Sequence, residues 1–300
     1  MRLRKLLAAA VLTAMAAAVT GCGSKAEDTE NKNEGASWDM KSNISVVSRE
    51  GGSGTRGAFI ELLGVEEKDK DGEEMNNITE EAGITNSTSV MISTIAGNEY
   101  AIGYISLGSL DDRVKAVKVD GAEATADNIK SGMYEITRTF NIVTKESVSE
   151  DVQDFINFIM SSEGQRIIAE NNYIPVEDVQ RYEPNGAVGK IIVAGSSSVS
   201  SIMEKLKDAY MSVNKRVEIE IQISDSKAGI TAALDGRCDI GMVSRELEDM
   251  EKEEGLVTTA IALDGIAVIV NNASTVEDMT SDQIRAVFTG DALSWKEALK

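Results

Sequence analysis

An α/β architecture, strands alternating with helices, is the fold class that this 300-residue sequence predicts. Three observations carry it. Short β-branched runs alternate with amphipathic segments of helical period along the whole chain. Several strand-to-helix turns are rich in Ser and Gly. About 260 residues follow Lys41, which is large for one compact core and comfortable for two lobes. The one strong interruption, Tyr182-Glu183-Pro184-Asn185-Gly186-Ala187-Val188-Gly189, holds one of only two prolines and reads as a joint between two segments.

The N-terminus stands outside this pattern. Arg2, Arg4 and Lys5 form a basic start, and Leu6 to Val19 is an apolar run too short to be a good bilayer span. Residues 1–21 read as a signal peptide. The exit Val19-Thr20-Gly21-Cys22 resembles the lipobox of bacterial lipoproteins, which implies cleavage before Cys22 and its acylation, hence a lipid anchor on the extracytoplasmic face of the cell membrane. Residues 22–41 are polar and nearly free of large apolar side chains apart from Trp38 and Met40, the composition of a tether.

Taken in order, the β-branched stretch Ile44–Ser48 predicts a strand and Thr55–Leu63 an amphipathic helix. Between them lies Arg49-Glu50-Gly51-Gly52-Ser53-Gly54-Thr55, a turn suited to a small oxyanion. A helix start offers unpaired N–H groups and the positive end of the macrodipole, glycines admit close approach, Ser53 and Thr55 add hydroxyls, and Arg49 supplies a planar fork. Strands follow at Ala101–Ile105, Val114–Val119 and Ile136–Thr144, then helices at Val148–Met160 and Gly164–Glu170. Beyond the joint, the strand Ile191–Gly195 runs through Ser196-Ser197-Ser198 into the helix Val199–Val213, a second hydroxyl-rich helix start. The strand Val217–Ile223 leads through Ser224–Gly229, where Ser226 could cap or donate, into the helix Ala228–Leu234. Strands at Ile240–Val243, Val257–Leu263 and Ile266–Asn271 and helices at Ser281–Phe288 and Trp295–Lys300 complete the chain. Three such helix starts suggest convergence on one ligand, at the carboxyl ends of strands where α/β sheets bind.

Composition narrows the chemistry. The absence of His excludes Ser-His and Cys-His nucleophiles and a His-zinc site, and besides Cys22 the only cysteine is Cys238, so no disulfide framework is possible. No acidic run has the spacing of a calcium loop, and neither a cofactor nor a metal is expected. The formal charge is −20; cleavage before Cys22 removes three cations, leaving 27 basic against 50 acidic residues, or −23. Nucleic acid is an improbable partner for so acidic a body, and any anion site must be local and rich in dipoles.

From about Ile44 to Lys300 the chain resembles the phosphate-binding lipoproteins of bacterial phosphate ABC transporters. The resemblance rests on Ser48–Phe59, Ala101–Asp112 (AIGYISLGSLDD), Gly195–Val199, Asp239–Glu246, Ile261–Asn271 (IALDGIAVIVN) and Phe288–Trp295. It implies a type II periplasmic-binding-protein fold, two-lobed, with a hinge and an interlobe anion cleft. One lobe would comprise residues 42–137 plus 269–300, the other 138–268, with crossings near Ile136–Asn141 and Ile266–Val270 as the hinge. It also implies a monomeric, non-enzymatic receptor that delivers inorganic phosphate to permease subunits. The implied phosphate-binding residues are Arg49, Ser53, Gly54, Thr55, Ser197, Ser198, Ser226 and Ser244. Ser244 stands where many members carry an Asp that accepts the phosphate proton, so sulfate, molybdate or tungstate stays an alternative ligand, and sensing without transport an alternative role. Gly51 stands where some members have an Asp orienting the Arg, with Glu50 the nearest substitute. The order of motifs is similar to that of a circular permutant, Tyr182–Gly189 bridging the usual chain ends.

Overall fold

The computed structural model describes residues 38–68, 74–177 and 179–300. The expected signal peptide, Cys22 and most of the expected tether lie outside them. Trp38–Lys41, however, belong to the folded body. The Trp38 indole donates to the Glu99 carbonyl (2.9 Å), its ring stacks on Tyr100, and the Met40 carbonyl accepts from Lys296 N (2.7 Å). The body therefore includes the four residues before the expected boundary, because a Trp in a polar tract finds aromatic partners.

In chain order come β1 (Ser45–Arg49), α1 (Gly54–Leu62), the antiparallel pair β2 (Glu66–Lys68) and β3 (Glu74–Asn76), β4 (Gly83–Thr85), α2 (Thr88–Ala96), β5 (Ala101–Ser106), β6 (Val114–Ala116), β7 (Lys118–Val119), α3 (Ala126–Lys130) and β8 (Thr137–Lys145). Then follow α4 (Glu150–Ile159), α5 (Ser162–Glu170), β9 (Ile174–Pro175), β10 (Gly189–Ser196), α6 (Ser197–Val213), β11 (Val217–Ser224), α7 (Ser226–Leu234), β12 (Ile240–Val243), α8 (Asp249–Glu253), β13 (Leu256–Asn271), β14 (Asp278–Met279), α9 (Ser281–Thr289) and α10 (Trp295–Ala298).

The main sheet runs β11-β10-β12-β8-β13-β5-β1-β4. Its two ends are parallel: β10 pairs with β11 and β12, and β1 with β4 and β5. The centre is antiparallel, and β13 holds the two ends together. Leu256–Gly265 pair with β8, and Ile266–Val270 pair with β5. The sequence predicts two strands here, split by Asp264-Gly265, whereas the structure has one strand of 16 residues. Asp264 and Gly265 stay in the ladder opposite Arg138 and Thr137. A Cβ on Gly265 would meet Ile129 Cδ1 at 2.6 Å, so this glycine serves close packing rather than a turn. The converse holds at Val114–Val119, which breaks into β6 and β7 around Val117, whose N–H turns to the Val268 carbonyl.

Apolar side chains gather on either side of this central strand. One core joins Phe59, Tyr104, Phe288 and Trp295, with Phe59 and Tyr104 stacked 3.9 Å apart, and includes Ile136, Ile266 and Val268. A second joins Phe140, Phe155, Ile202, Tyr210 and Ile261, and smaller clusters form around Met91 and Ile95 and around Ile230 and Cys238. The changeover falls between Ile136 and Phe140 on one crossing and between Ala262 and Ile266 on the other.

The sequence signals miss α2. Its run Thr88-Ser-Val-Met-Ile-Ser-Thr-Ile is β-branched and carries no charge, yet Ser87 caps it by accepting from Val90 N, and Met91, Ile92 and Ile95 are buried on one face. The short elements β4, β9, β14, α3 and α8 are likewise unannounced.

The chain ends of the body meet. Ile44 N donates to the Leu293 carbonyl (2.9 Å), Trp295 N to the Ser42 carbonyl (3.3 Å), and Asn43 bridges Ser294. The Tyr182–Gly189 segment is irregular and largely exposed, but it is pinned at its start. Buried Asp154 accepts from Tyr182 Oη (2.6 Å) and Tyr210 Oη (2.9 Å). Burial pushes the Tyr182 hydroxyl up to about 12.

Candidate functional site

Four strand-to-helix or turn-to-helix junctions converge on one buried cluster. At the first, β1 delivers Ser48 and Arg49. The Tyr104 hydroxyl receives Arg49 N (3.2 Å) and lies 2.8 Å from Ser48 Oγ, and burial raises its pKa. Ser53 is the N-cap of α1, its side chain accepting from Arg56 N (3.3 Å), and Gly54 and Thr55 are the first helical residues. At the second, Ser196 caps α6 by accepting from Ser198 N (3.3 Å), which leaves Ser197 and Ser198 at the helix start. At the third, Asp225 rather than Ser226 caps α7, accepting from Ala228 N (2.8 Å). Ser226 is thereby left to face Ser244. The fourth is the N-terminus of α2, where Ser87 caps and Thr88 points into the cluster.

Hydrogen bonds tie these pieces together across long stretches of sequence. Thr55 Oγ1 lies 2.6 Å from Ser198 Oγ, Arg49 Nη2 donates to Ser197 Oγ at 3.0 Å, and Thr88 N donates to Ser197 Oγ at 3.3 Å. Ser196 Oγ donates to Ser244 Oγ (2.9 Å), and Ser244 N donates to Ser226 Oγ (3.0 Å). Gly54 is pressed so closely that a Cβ there would lie 2.6 Å from Ser226 Oγ and 2.7 Å from Ser244 Oγ. Gly52 stands similarly close to Asp225, and its carbonyl accepts from Lys227 N. The seven side chains and glycine that the sequence singles out here, Arg49, Ser53, Gly54, Thr55, Ser197, Ser198, Ser226 and Ser244, are all buried. Ser53 is the outlier, its hydroxyl oxygen serving as a cap instead of bonding to the other serines.

Arg49 is 2% exposed, and Glu50 grips it edge-on: Nε donates to Oε2 at 2.8 Å and Nη2 to Oε1 at 2.7 Å. This bidentate pair fixes the plane of the guanidinium and aims its remaining edge toward Thr88 and Ser197. Four helix N-termini therefore present N–H groups and hydroxyls around a paired arginine, a chemistry suited to holding a desolvated oxyanion by neutral donors.

Two features escape the sequence reading. Thr88 does so because its helix is hidden. Its one signal is the cluster Asn86-Ser87-Thr88-Ser89, another hydroxyl-rich stretch ahead of an apolar run. The other is a buried ion pair behind Ser244. Arg138 donates through Nε (3.1 Å) and Nη2 (3.0 Å) to Asp264 Oδ2, and through Nη1 to the Ser244 carbonyl (3.3 Å). Asp264 Oδ1 accepts from Ser106 Oγ (2.9 Å). Burial pushes the Asp264 carboxyl up to about 6, while the Arg138 guanidinium pulls it back down. Beside the cluster a cavity of about 390 Å³ adjoins Thr88 and Ser197 and reaches Asp111, Arg113 and Glu204. Among the described residues no acidic or Cys cluster is arranged to hold a metal ion, and no helix is long and apolar enough to cross a membrane.

A mixed sheet carrying convergent helix N-termini defines the class of periplasmic-binding-protein folds, and residues 11–163 and 181–300 match the PBP superfamily domain. The chain is 50% identical to Phosphate-binding protein PstS 2 of Streptococcus agalactiae over 88% of its length and 91% of the relative's. It is 42% identical to Phosphate-binding protein PstS 2 of Streptococcus pneumoniae over 98% and 99%. A crystal structure of a phosphate ABC transporter phosphate-binding protein from Streptococcus pneumoniae TIGR4 is 45% identical, covers 86% of this chain and all of that one, and superposes with a TM-score of 0.68. The chain belongs to this phosphate-binding protein family. Its order of segments is shared nearly end to end with the Streptococcus pneumoniae relative, so that order does not set it apart from such members.

Proposed function

We propose that the protein is an extracytoplasmic receptor that captures inorganic phosphate and passes it to an ABC transporter. The observation that carries this reading is the convergence of Arg49, Thr55, Thr88, Ser197, Ser198, Ser226 and Ser244 at four helix N-termini, in a chain 50% identical to a named phosphate-binding protein. Micromolar affinity requires about −8 kcal/mol net. Charge-assisted hydrogen bonds at roughly 1.5–3 kcal/mol each make that attainable from this donor set. The role is binding and release, without catalysis.

The two cores are taken as two lobes that close on the ion. Ile266 and Val268 belong to the first core, which supports drawing the crossing at Asp264–Gly265, slightly earlier than residues 268/269. Acylation at Cys22 anchors the monomeric receptor to the membrane beside its permease. The contact of 40–44 with 293–296 supports a permuted order relative to the common arrangement of the family, since an unpermuted chain would run directly from one segment into the other.

One observation favours a second ligand. The position where many relatives carry a proton-accepting Asp is the hydroxyl of Ser244, and Glu50 is engaged by Arg49, so a fully ionised tetrahedral anion such as sulfate meets no free carboxylate from these residues. Calorimetric titration of the purified protein with phosphate, sulfate and molybdate decides between them. Phosphate binding in the micromolar range or tighter, with weaker sulfate, supports the primary reading; no heat with phosphate refutes it.

A further inference from the structure

The anion cluster contains two buried guanidinium groups, and each is cancelled by its own carboxylate. Arg49 is gripped by Glu50, and Arg138, 5% exposed, is gripped by Asp264, which is fully buried. The second pair makes no contact with the ligand-facing hydroxyls. It lies where β8 and β13 face each other at Arg138 and Asp264, tied to β5 through Ser106 and to the Ser244 turn through the Arg138–Ser244 carbonyl bond. An apolar pair would fill such a place at less desolvation cost, so retention of two charges there calls for a function.

We propose that Asp264 is an affinity-setting residue: by cancelling Arg138 directly behind Ser244, it keeps the field at the anion site near neutral and the ion releasable. The inference rests on the reading of this cluster as a phosphate site. Two guanidinium groups facing a dianion, with no counter-charge, would hold it too long for a receptor that must hand it on. With both paired, retention depends on neutral N–H and hydroxyl donors, whose hold is lost once the surrounding elements separate. The charged and titratable groups facing Asp264 are Arg138 on β8, with Tyr134 before that strand and Tyr173 after α5; Arg49 on β1 acts on Arg138, and Glu50 holds Arg49. Burial already places the Asp264 carboxyl near the acid edge of the neutral range, so its charge is adjustable by pH.

The test is phosphate calorimetry on the whole protein, comparing wild type with Asp264→Asn, Arg138→Gln and the double variant, with melting temperatures alongside. Asp264→Asn leaves Arg138 uncancelled and tightens binding on the order of tenfold at pH 7.5 even as it lowers the melting temperature, Arg138→Gln weakens binding, and the double variant falls between. A residue that merely supports the fold would weaken binding whenever it lowers stability. The ratio of Asp264→Asn to wild-type affinity, from which the ligand's own titration cancels, shrinks toward one at pH 5. If Asp264→Asn does not fold, the same effect is read as tighter binding on adding Asp264→Asn to Arg138→Gln. Weaker binding on removing Asp264 in either background, or a ratio that ignores pH, overturns the inference. Wild-type protein that binds no phosphate refutes the site itself.

Discussion

Replacing Gly54 by Ala adds one methyl group, and its effect follows from the geometry. The new Cβ would lie 2.6 Å from Ser226 Oγ, 2.7 Å from Ser244 Oγ and 3.0 Å from the carbonyl carbon of Ser244. Ordinary van der Waals separation is about 3.5–4.0 Å, so all three contacts overlap. The hydroxyls can rotate only by giving up the bonds from Ser196 to Ser244 and from Ser244 N to Ser226, and the backbone carbon cannot rotate at all. Overpacking of this kind costs about 1–3 kcal/mol. That is a loss of roughly fivefold to 150-fold in affinity, with the backbone contact favouring the upper end. Intrinsic helix propensity works in the opposite direction, since Ala is the better helix former by as much as about 1 kcal/mol. Propensity offsets only part of such a cost, and the crowding is present without ligand, so the ligand-free variant should also melt below the wild-type temperature. Gly51→Ala is the matched control, because a Cβ there meets nothing within 4 Å. The assay is phosphate titration calorimetry of both variants, with thermal melts of each without ligand. Wild-type affinity in Gly54→Ala, or an equal loss in Gly51→Ala, would refute the close approach of α1 to Ser226 and Ser244.

Arg49→Ala removes the guanidinium and leaves Glu50 unpaired beside the ion, so phosphate affinity should fall by at least about 2 kcal/mol, whereas Arg56→Ala costs much less; equal losses in titration would show that the wrong arginine has been chosen. Thr88→Val keeps the volume and deletes a hydroxyl that faces both Ser197 and Ser198, which should weaken binding by about 1 kcal/mol, and an unchanged dissociation constant would remove Thr88 from the site. Ser244→Asp should widen the preference for phosphate over sulfate in competition titrations, by adding an acceptor that sulfate cannot satisfy; loss of phosphate binding with sulfate unaffected would place the proton acceptor elsewhere.

What the sequence makes legible is local. Arg49 through Thr55 and Gly195 through Ser198 announce themselves because the turn, the cap and the donors are contiguous, and the structure buries all of them in one cluster. Thr88 stays hidden because the β-branched residues of α2 compete with its helical period, and only tertiary burial of Met91 and Ile95 settles the matter. The Arg138–Asp264 pair has no local signature either: its members lie 126 positions apart, and an Arg or Asp at a strand position reads as solvent-facing until the register sets them opposite each other. Asp264-Gly265 misleads for the same reason. Turn-forming residues are read as breaks, but a ladder partner and the crowding of Ile129 keep the strand intact. Asp225 taking the cap of α7, and so freeing Ser226, turns on a choice between neighbouring side chains that composition does not decide.

The continuity of β13 has a consequence for how this protein loses its structure. A chain built as two bodies on a slack linker can melt one body at a time. Here a single strand of 16 residues is the central rung of both, hydrogen-bonded to β8 over its first ten residues and to β5 over the next five. Fraying either side withdraws ladder partners from the strand on which the other is laid, so damage on one side is felt as lost stability on the other. The same beam limits shear: its first ten residues cannot slide along β8 without carrying along the five that are paired with β5.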